Sequence, residues 1–93
     1  MLVLPQKITH EQARGHLEQL KKGVQSETTQ VVFDATALQQ FDSSALAVLL
    51  ELRRECARLG KQFVVQAMPA RLLDLARLYG IDSLLVAQPS AGM

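Results

Sequence analysis

The 93-residue chain holds a single cysteine, Cys56, so no disulfide can form within it. Cys56 sits in a helical pattern between charged residues and reads as a small, half-buried apolar side chain, with no general base near it in sequence. Long apolar runs are also missing. The longest, Ala45 to Leu50, is far too short to cross a bilayer. Met1-Leu2-Val3-Leu4-Pro5 has neither a basic start nor a long apolar stretch, so no signal peptide is expected. The expected location is cytoplasmic, with any membrane association made through a partner. Charge of one sign is not in excess: ten Lys and Arg against nine Asp and Glu leave a net +1. That balance gives no electrostatic case for nucleic acid.

Catalytic signatures are lacking too. No GxGxxG, GxxxxGK[ST] or GxSxG occurs. No histidine lies beyond His16, and an unassisted serine is a poor nucleophile. His10 and His16 are poorly spaced for a shared metal and read as surface residues. Asp34 and Asp42 follow strand-like or loop positions where α/β proteins often place functional carboxylates, but no pattern supplies a third ligand. Neither an enzyme nor a bound cofactor or metal is expected.

What is present is a 48% hydrophobic, 20% charged composition, enough for one packed domain of marginal stability. Leu2, Val3 and Leu4 read as a short strand closed by Pro5. Thr9-His10-Glu11-Gln12 has the form of a capping box, with Thr9 as N-cap. The first helix then runs to about Lys22, with Gly23 suited to a left-handed cap. Its stripe is Ala13, Leu17, Leu20 and Val24. Gln30 to Asp34 reads as a strand covered on both faces. A helix from about Ser44 to Leu59 ends at Gly60. Lys61 to Gln66 is another buried-type strand. Pro69 opens a third helix that stops at Gly80, and Ser83 to Val86 reads as a last short strand. The β-α-β-α-β-α-β order implies a single α/β domain over residues 1–87. Its expected core is a mainly parallel (mixed) four-stranded sheet with about three helices. Residues 88–93 read as a frayed tail.

The segment Phe41-Asp42-Ser43-Ser44-Ala45-Leu46-Ala47-Val48-Leu49-Leu50 carries the most information. Asp42 or Ser43 can cap the helix that follows by accepting a hydrogen bond from a free amide of its first turn. Ala45, Val48, Leu49, Leu52, Cys56 and Leu59 form the stripe that docks this helix on the sheet. Leu46, Ala47 and Leu50 fall outside it. Either another part of the chain covers Leu46 and Leu50, or they form an exposed patch that binds another protein. Burying two leucines across an interface contributes on the order of 3–6 kcal/mol. Arg53, Arg54, Arg58 and Lys61 form a basic cluster. It reads either as a solvated face paired locally, Glu51 with Arg54 and Glu55 with Arg58, or as a rim for an acidic partner.

The order of elements and the Asp42-Ser43-Ser44-Ala45-Leu46-Ala47 segment resemble a STAS domain, the family of anti-sigma-factor antagonists. There the motif reads roughly Asp-Ser-Ser/Thr-Gly-Leu-Gly and its first hydroxyl residue is phosphorylated. By position that residue is Ser43, and Ala45 replaces the usual glycine. The segment Leu72-Leu73-Asp74-Leu75-Ala76-Arg77-Leu78-Tyr79-Gly80-Ile81 is similar to the MlaB family, the STAS subunits of Mla-type phospholipid-transport ABC systems. That resemblance implies a non-enzymatic accessory subunit that binds the cytoplasmic ATPase of the transporter and supports its assembly and activity in outer-membrane lipid asymmetry. The implied partner-binding residues are Asp42, Ser43, Ser44, Leu46, Ala47, Leu50 and Arg54. The chain would lie peripheral to the inner membrane through its partner, without inserting. The alternative is a phosphorylation-regulated antagonist of an anti-sigma factor, with Ser43 as phosphosite. A homodimer using the same patch is a third option. A typical STAS domain has a further strand ahead of Leu2 to Leu4, so that sheet edge is expected to be shortened or differently covered.

Overall fold

The computed structural model describes residues 1–85. In chain order the elements are β1 (Leu2–Val3), β2 (Lys7–Ile8), α1 (Ala13–Ser26), β3 (Gln30–Asp34), β4 (Gln40–Phe41), α2 (Ser43–Arg58), β5 (Gln62–Gln66), α3 (Ala70–Leu78) and α4 (Asp82–Leu85). β3 is the middle of a parallel three-stranded sheet in the order β1-β3-β5. Val31 and Phe33 of β3 sit opposite Phe63 and Val65 of β5, and the Phe33 and Phe63 rings are tilted against each other with centroids 5.4 Å apart. β-branched and aromatic residues at these positions suit a pleated, half-buried surface. One face of β3, carrying Val31 and Phe33, is fully buried, whereas Val32 and Asp34 on the other are only partly covered.

The core gathers Leu4, Ile8, Val24, Val31, Phe33, Leu49, Leu52, Cys56, Leu72 and Leu85, all essentially without exposure. α2 packs against α1 and β5, and also against α3 and α4. A helix with that many neighbours must be apolar on more than one stripe, which accounts for its unusually apolar first turns. The strands expected at 30–34 and 61–66 and the helices expected at about 44–59 and from 69 to 80 are present as β3, β5, α2 and α3, and Gly60 and Gly80 end α2 and α3 with φ of +70° and +74°.

Four expectations are corrected. Ser83 to Val86 does not form a strand: Asp82–Leu85 is a helical turn packed on α2 and α3 with Leu85 in the core, so the main sheet has three strands. A four-residue apolar run carries no period that separates strand from helix. Val86 and the tail 88–93 lie outside the described residues. The helix α1 starts at Ala13, not after Thr9. The Thr9 hydroxyl donates to Gln12 Oε1 at 2.6 Å and the Gln12 amide to the Thr9 carbonyl at 3.0 Å, which closes a turn ahead of the helix instead of a capping box.

Gly23 is not a cap but a position inside α1, which continues to Ser26. A Cβ there would stand 2.7 Å from Leu2 Cδ2, so the missing side chain lets β1 close onto the helix. Finally, Lys61 does not belong to a basic surface cluster. Its ammonium donates to the carbonyls of Val24 and Glu27, each at 2.7 Å, and of Gln25 at 3.3 Å. It thereby satisfies the carbonyls that the end of α1 leaves free. At the far edge of the sheet, β1 is short and Val3 is 60% exposed.

Candidate functional site

β2 and β4 were not evident from periodicity. They pair in parallel, Lys7 with Gln40 and Ile8 with Phe41, as a two-stranded ribbon separate from the main sheet. The ribbon runs directly into the N-terminus of α2. The Asp42 amide donates to the Ile8 carbonyl at 3.4 Å, and Asp42 itself is the N-cap with extended backbone (φ −125°, ψ −166°). Asp42 Oδ1 accepts the Ser44 amide at 2.8 Å, and Oδ2 accepts the His10 amide at 3.0 Å. Of the two capping candidates, the structure therefore selects Asp42. The His10 amide first, then that of Ser44, holds its carboxyl below the usual carboxylate range. Both oxygens are engaged, so Asp42 is the girder of the site and not a free carboxylate. The contribution of the His10 backbone had no signal in the sequence, because it depends on a strand pair only two residues long.

With Asp42 fixed, Ser43 starts the helix with its side chain exposed, and among the described residues its hydroxyl has no hydrogen-bond partner. Ser44 is half-buried, Ala47 exposed and Leu50 half-buried. Leu46 is the correction here: it is 3% exposed and belongs to the core, so it contributes no accessible surface. Of the two alternatives, cover by another part of the chain holds for Leu46, since neighbouring helices close over α2. The accessible row is Ser43, Ala47, Leu50 and Arg54, at steps of four, three and four, and hence on one helix face. It offers a hydroxyl and a methyl at the tip and the side of a leucine behind them. Arg54 reaches Glu51 at 3.3 Å and Arg58 reaches Glu55 at 2.6 Å, so these two arginines form the locally paired face. Arg58 keeps the Glu55 carboxyl below its ordinary range.

The remaining chemically suggestive residues are spoken for. Asp34 Oδ1 accepts both the amide and the hydroxyl of Thr36, at 3.0 and 2.5 Å, which shapes the turn after β3. Cys56 is fully buried, and burial pushes its thiol up from the ordinary range, away from the reactive thiolate. Among the described residues, no three His, Cys, Asp or Glu side chains gather in a way that could hold a metal ion. Nor is any helix there long and apolar enough to cross a membrane.

The parallel β1-β3-β5 sheet, and a helix α2 capped by Asp42 ahead of Ser43, fit a STAS domain. Among solved structures, the unphosphorylated form of the anti-sigma factor antagonist SpoIIAA superposes with a TM-score of 0.70 at 13% sequence identity, over 90% of this chain and 74% of that one. The family profile described as "Mlab, STAS domain" matches residues 1–87, and the chain belongs to that family. No curated protein matches it.

Proposed function

We propose that this domain is an accessory subunit that docks, through the tip of α2, on the cytoplasmic ATPase of an Mla-type ABC phospholipid transporter and supports its assembly and activity. On this reading it acts at the inner membrane through its partner and serves outer-membrane lipid asymmetry. The observation that carries the reading is the row Ser43, Ala47, Leu50 and Arg54. It is accessible, sits on one face and is held rigidly by the Asp42 cap. Membership of the Mlab family supports the choice of partner. The row is small, so it supplies orientation and fit more than bulk affinity. Such a subunit changes turnover only by fitting one arrangement of the ATPase better than another.

The test is co-purification with the ATPase, and ATP turnover measured with and without this chain. A stable complex with altered turnover supports the reading; no complex and unchanged turnover remove it. Ser43→Glu should fold normally and fail to bind, because a charge is then buried against the partner.

The exposed, unpartnered Ser43 hydroxyl favours one second reading, a regulator gated by phosphorylation. A phosphate there adds a charge of about −1.5 to −2 that the helix N-terminus tolerates but an apolar contact does not. Intact mass after incubation with a cognate anti-sigma kinase decides it: addition of one phosphate at Ser43 supports this second role, and none dismisses it.

A further inference from the structure

The ribbon that holds Asp42 also walls a cleft of about 410 Å³, lined by Lys7, Thr9, Gln39, Gln40 and Phe41 and by Arg71 of α3. Its lining is one-sided in charge. Two cations face it with a hydroxyl, two carboxamides and one aromatic ring, and no carboxylate. Arg54, Arg58 and Arg77 are matched, by Glu51, Glu55 and, at 3.4 Å, Asp74, whereas Arg14, Lys21, Lys22 and Arg53 form no ion pair among the described residues. Lys7 and Arg71 have neither an ion pair nor a side-chain hydrogen bond among the described residues. Asp74, one helical turn from Arg71, is turned to Arg77 instead.

The cleft is also rigidly built. The amides of Gln39 and Gln40 both donate to the Gln6 carbonyl, at 2.8 and 3.1 Å, and the Gln6 and Gln39 side chains are joined at 3.0 Å. It is continuous with the tip of α2, since Phe41 lines the cleft, Asp42 caps the helix and Ser43 is the next residue.

We infer that this cleft receives a carboxylate-bearing segment of the protein that docks on the α2 tip, an acidic peptide stretch whose charge is met by Lys7 and Arg71 and whose flanking side chain lies against Phe41. The inference rests on the docking reading above and adds to it the chemistry of the partner. A guanidinium from α3 and an ammonium from β2 lining one cleft suit a carboxylate. Gln39 and Gln40 supply carboxamide donors for the peptide backbone, and the Thr9 hydroxyl, whose proton goes to Gln12, supplies an acceptor. Such charges act chiefly on encounter and register.

Two measurements separate this inference from the docking reading. The first titrates the intact chain, labelled with 15N, with the peptide acetyl-Glu-Asp-Phe-Asp-Glu-amide and with its Gln/Asn counterpart. Amide shifts should concentrate at Lys7, Thr9, Gln39, Gln40, Phe41 and Arg71, for the acidic peptide only, and fade with added salt. They should vanish in the Lys7→Gln/Arg71→Gln variant. Shifts centred on Arg53, Arg54 and Arg58, or equal shifts from both peptides, overturn the inference. So does binding to phosphatidylglycerol vesicles without any response to the peptide, which makes the cleft a membrane contact.

The second measures affinity for the ATPase. Lys7→Glu/Arg71→Glu should weaken the complex at least tenfold at low salt, mainly through slower association, with the melting temperature unchanged. A complex of unaltered affinity defeats the cleft while leaving α2 docking intact. If no complex forms with the unmodified chain while the peptide still maps to the cleft, the docking reading fails and the acidic site stands.

Discussion

The backbone amide of His10 and the carboxylate of Asp42 are joined at 3.0 Å across 32 residues of sequence. This bond ties the exit of β2 to the start of α2, and the other carboxylate oxygen caps the helix through Ser44. A single side chain thus sets both the ribbon and the helix tip that Ser43 occupies.

Because both amides favour the ionised form, Asp42 titrates lower in the folded chain than in the unfolded one. Its stabilising contribution is complete above the unfolded carboxylate value, near about 4, and is lost as pH falls through the depressed folded value. Asp42→Asn keeps an acceptor for Ser44 but turns an amide donor toward the His10 N–H. At pH 7 this variant should melt lower than the parent, because the His10 amide loses its acceptor while the cap to Ser44 is kept. Asp34 and Glu55 are depressed in the same direction, so both proteins lose stability in acid. The gap between parent and variant should therefore narrow as pH drops toward 3, which denaturant midpoints at the two pH values will show. A gap independent of pH rules out the charge as the source.

The burial of Leu46 sets up a second contrast. Leu46→Ala should cost about 2–5 kcal/mol, as for other large-to-small core changes, and Leu46→Asp should fail to fold. Ala47→Glu, one residue on but exposed, should leave the urea midpoint within error and abolish binding to the ATPase. If Ala47→Glu binds normally, the α2 face is not the docking surface. Leu50→Asp lies between these extremes, since Leu50 is packed against the core on one side only.

These contrasts also show what the sequence makes legible. The stripe from Ala45 to Leu59 and the β-branched runs at 31–33 and 63–65 impose their periods locally, so α2, β3 and β5 could be read directly. A cap at Asp42 or Ser43 could be read from their place before an apolar run, and the His10 bond that accompanies the choice of Asp42 could not. Leu46 could not be placed, because its cover comes from helices whose packing around α2 is a property of the whole fold. The β2–β4 ribbon was invisible for a related reason. Two-residue strands carry no period, and their pairing is fixed by contacts more than thirty residues apart in sequence. Lys7 and Arg71 meet only through that ribbon and α3, so nothing in their own neighbourhoods pointed to a shared cleft.

Lys61 yields a third test. Its ammonium satisfies three carbonyls at the end of α1 from the start of β5. Lys61→Met keeps the apolar stem and removes the donors, leaving the partly buried Glu27 carbonyl without a partner and that of Val24 with the Glu27 amide alone. The expected cost is roughly 1–3 kcal/mol. A surface lysine would show no such loss. Hydrogen exchange should locate the damage: protection should fall first near the C-terminal turn of α1, while the amides of β3 hold until global unfolding.

Ala67 and Gly60 form the last comparison. Ala67 adopts φ of 59° and Gly60 φ of 70°, so both occupy the left-handed region, but only one has a side chain. That conformation costs an L-residue about 1–2 kcal/mol. In Ala67→Gly the relief is offset by the greater freedom of glycine in the unfolded chain, roughly 0.5–1 kcal/mol, so a net gain of about 0.5–1 kcal/mol is expected. Gly60→Ala has open space around its new Cβ, so the strain of the turn acts alone and should destabilise by about 1 kcal/mol net of the entropy gained. Paired chemical denaturation of the two variants reads both signs in one experiment. Destabilisation by Ala67→Gly would mean that the methyl makes contacts worth more than the strain of the left-handed turn.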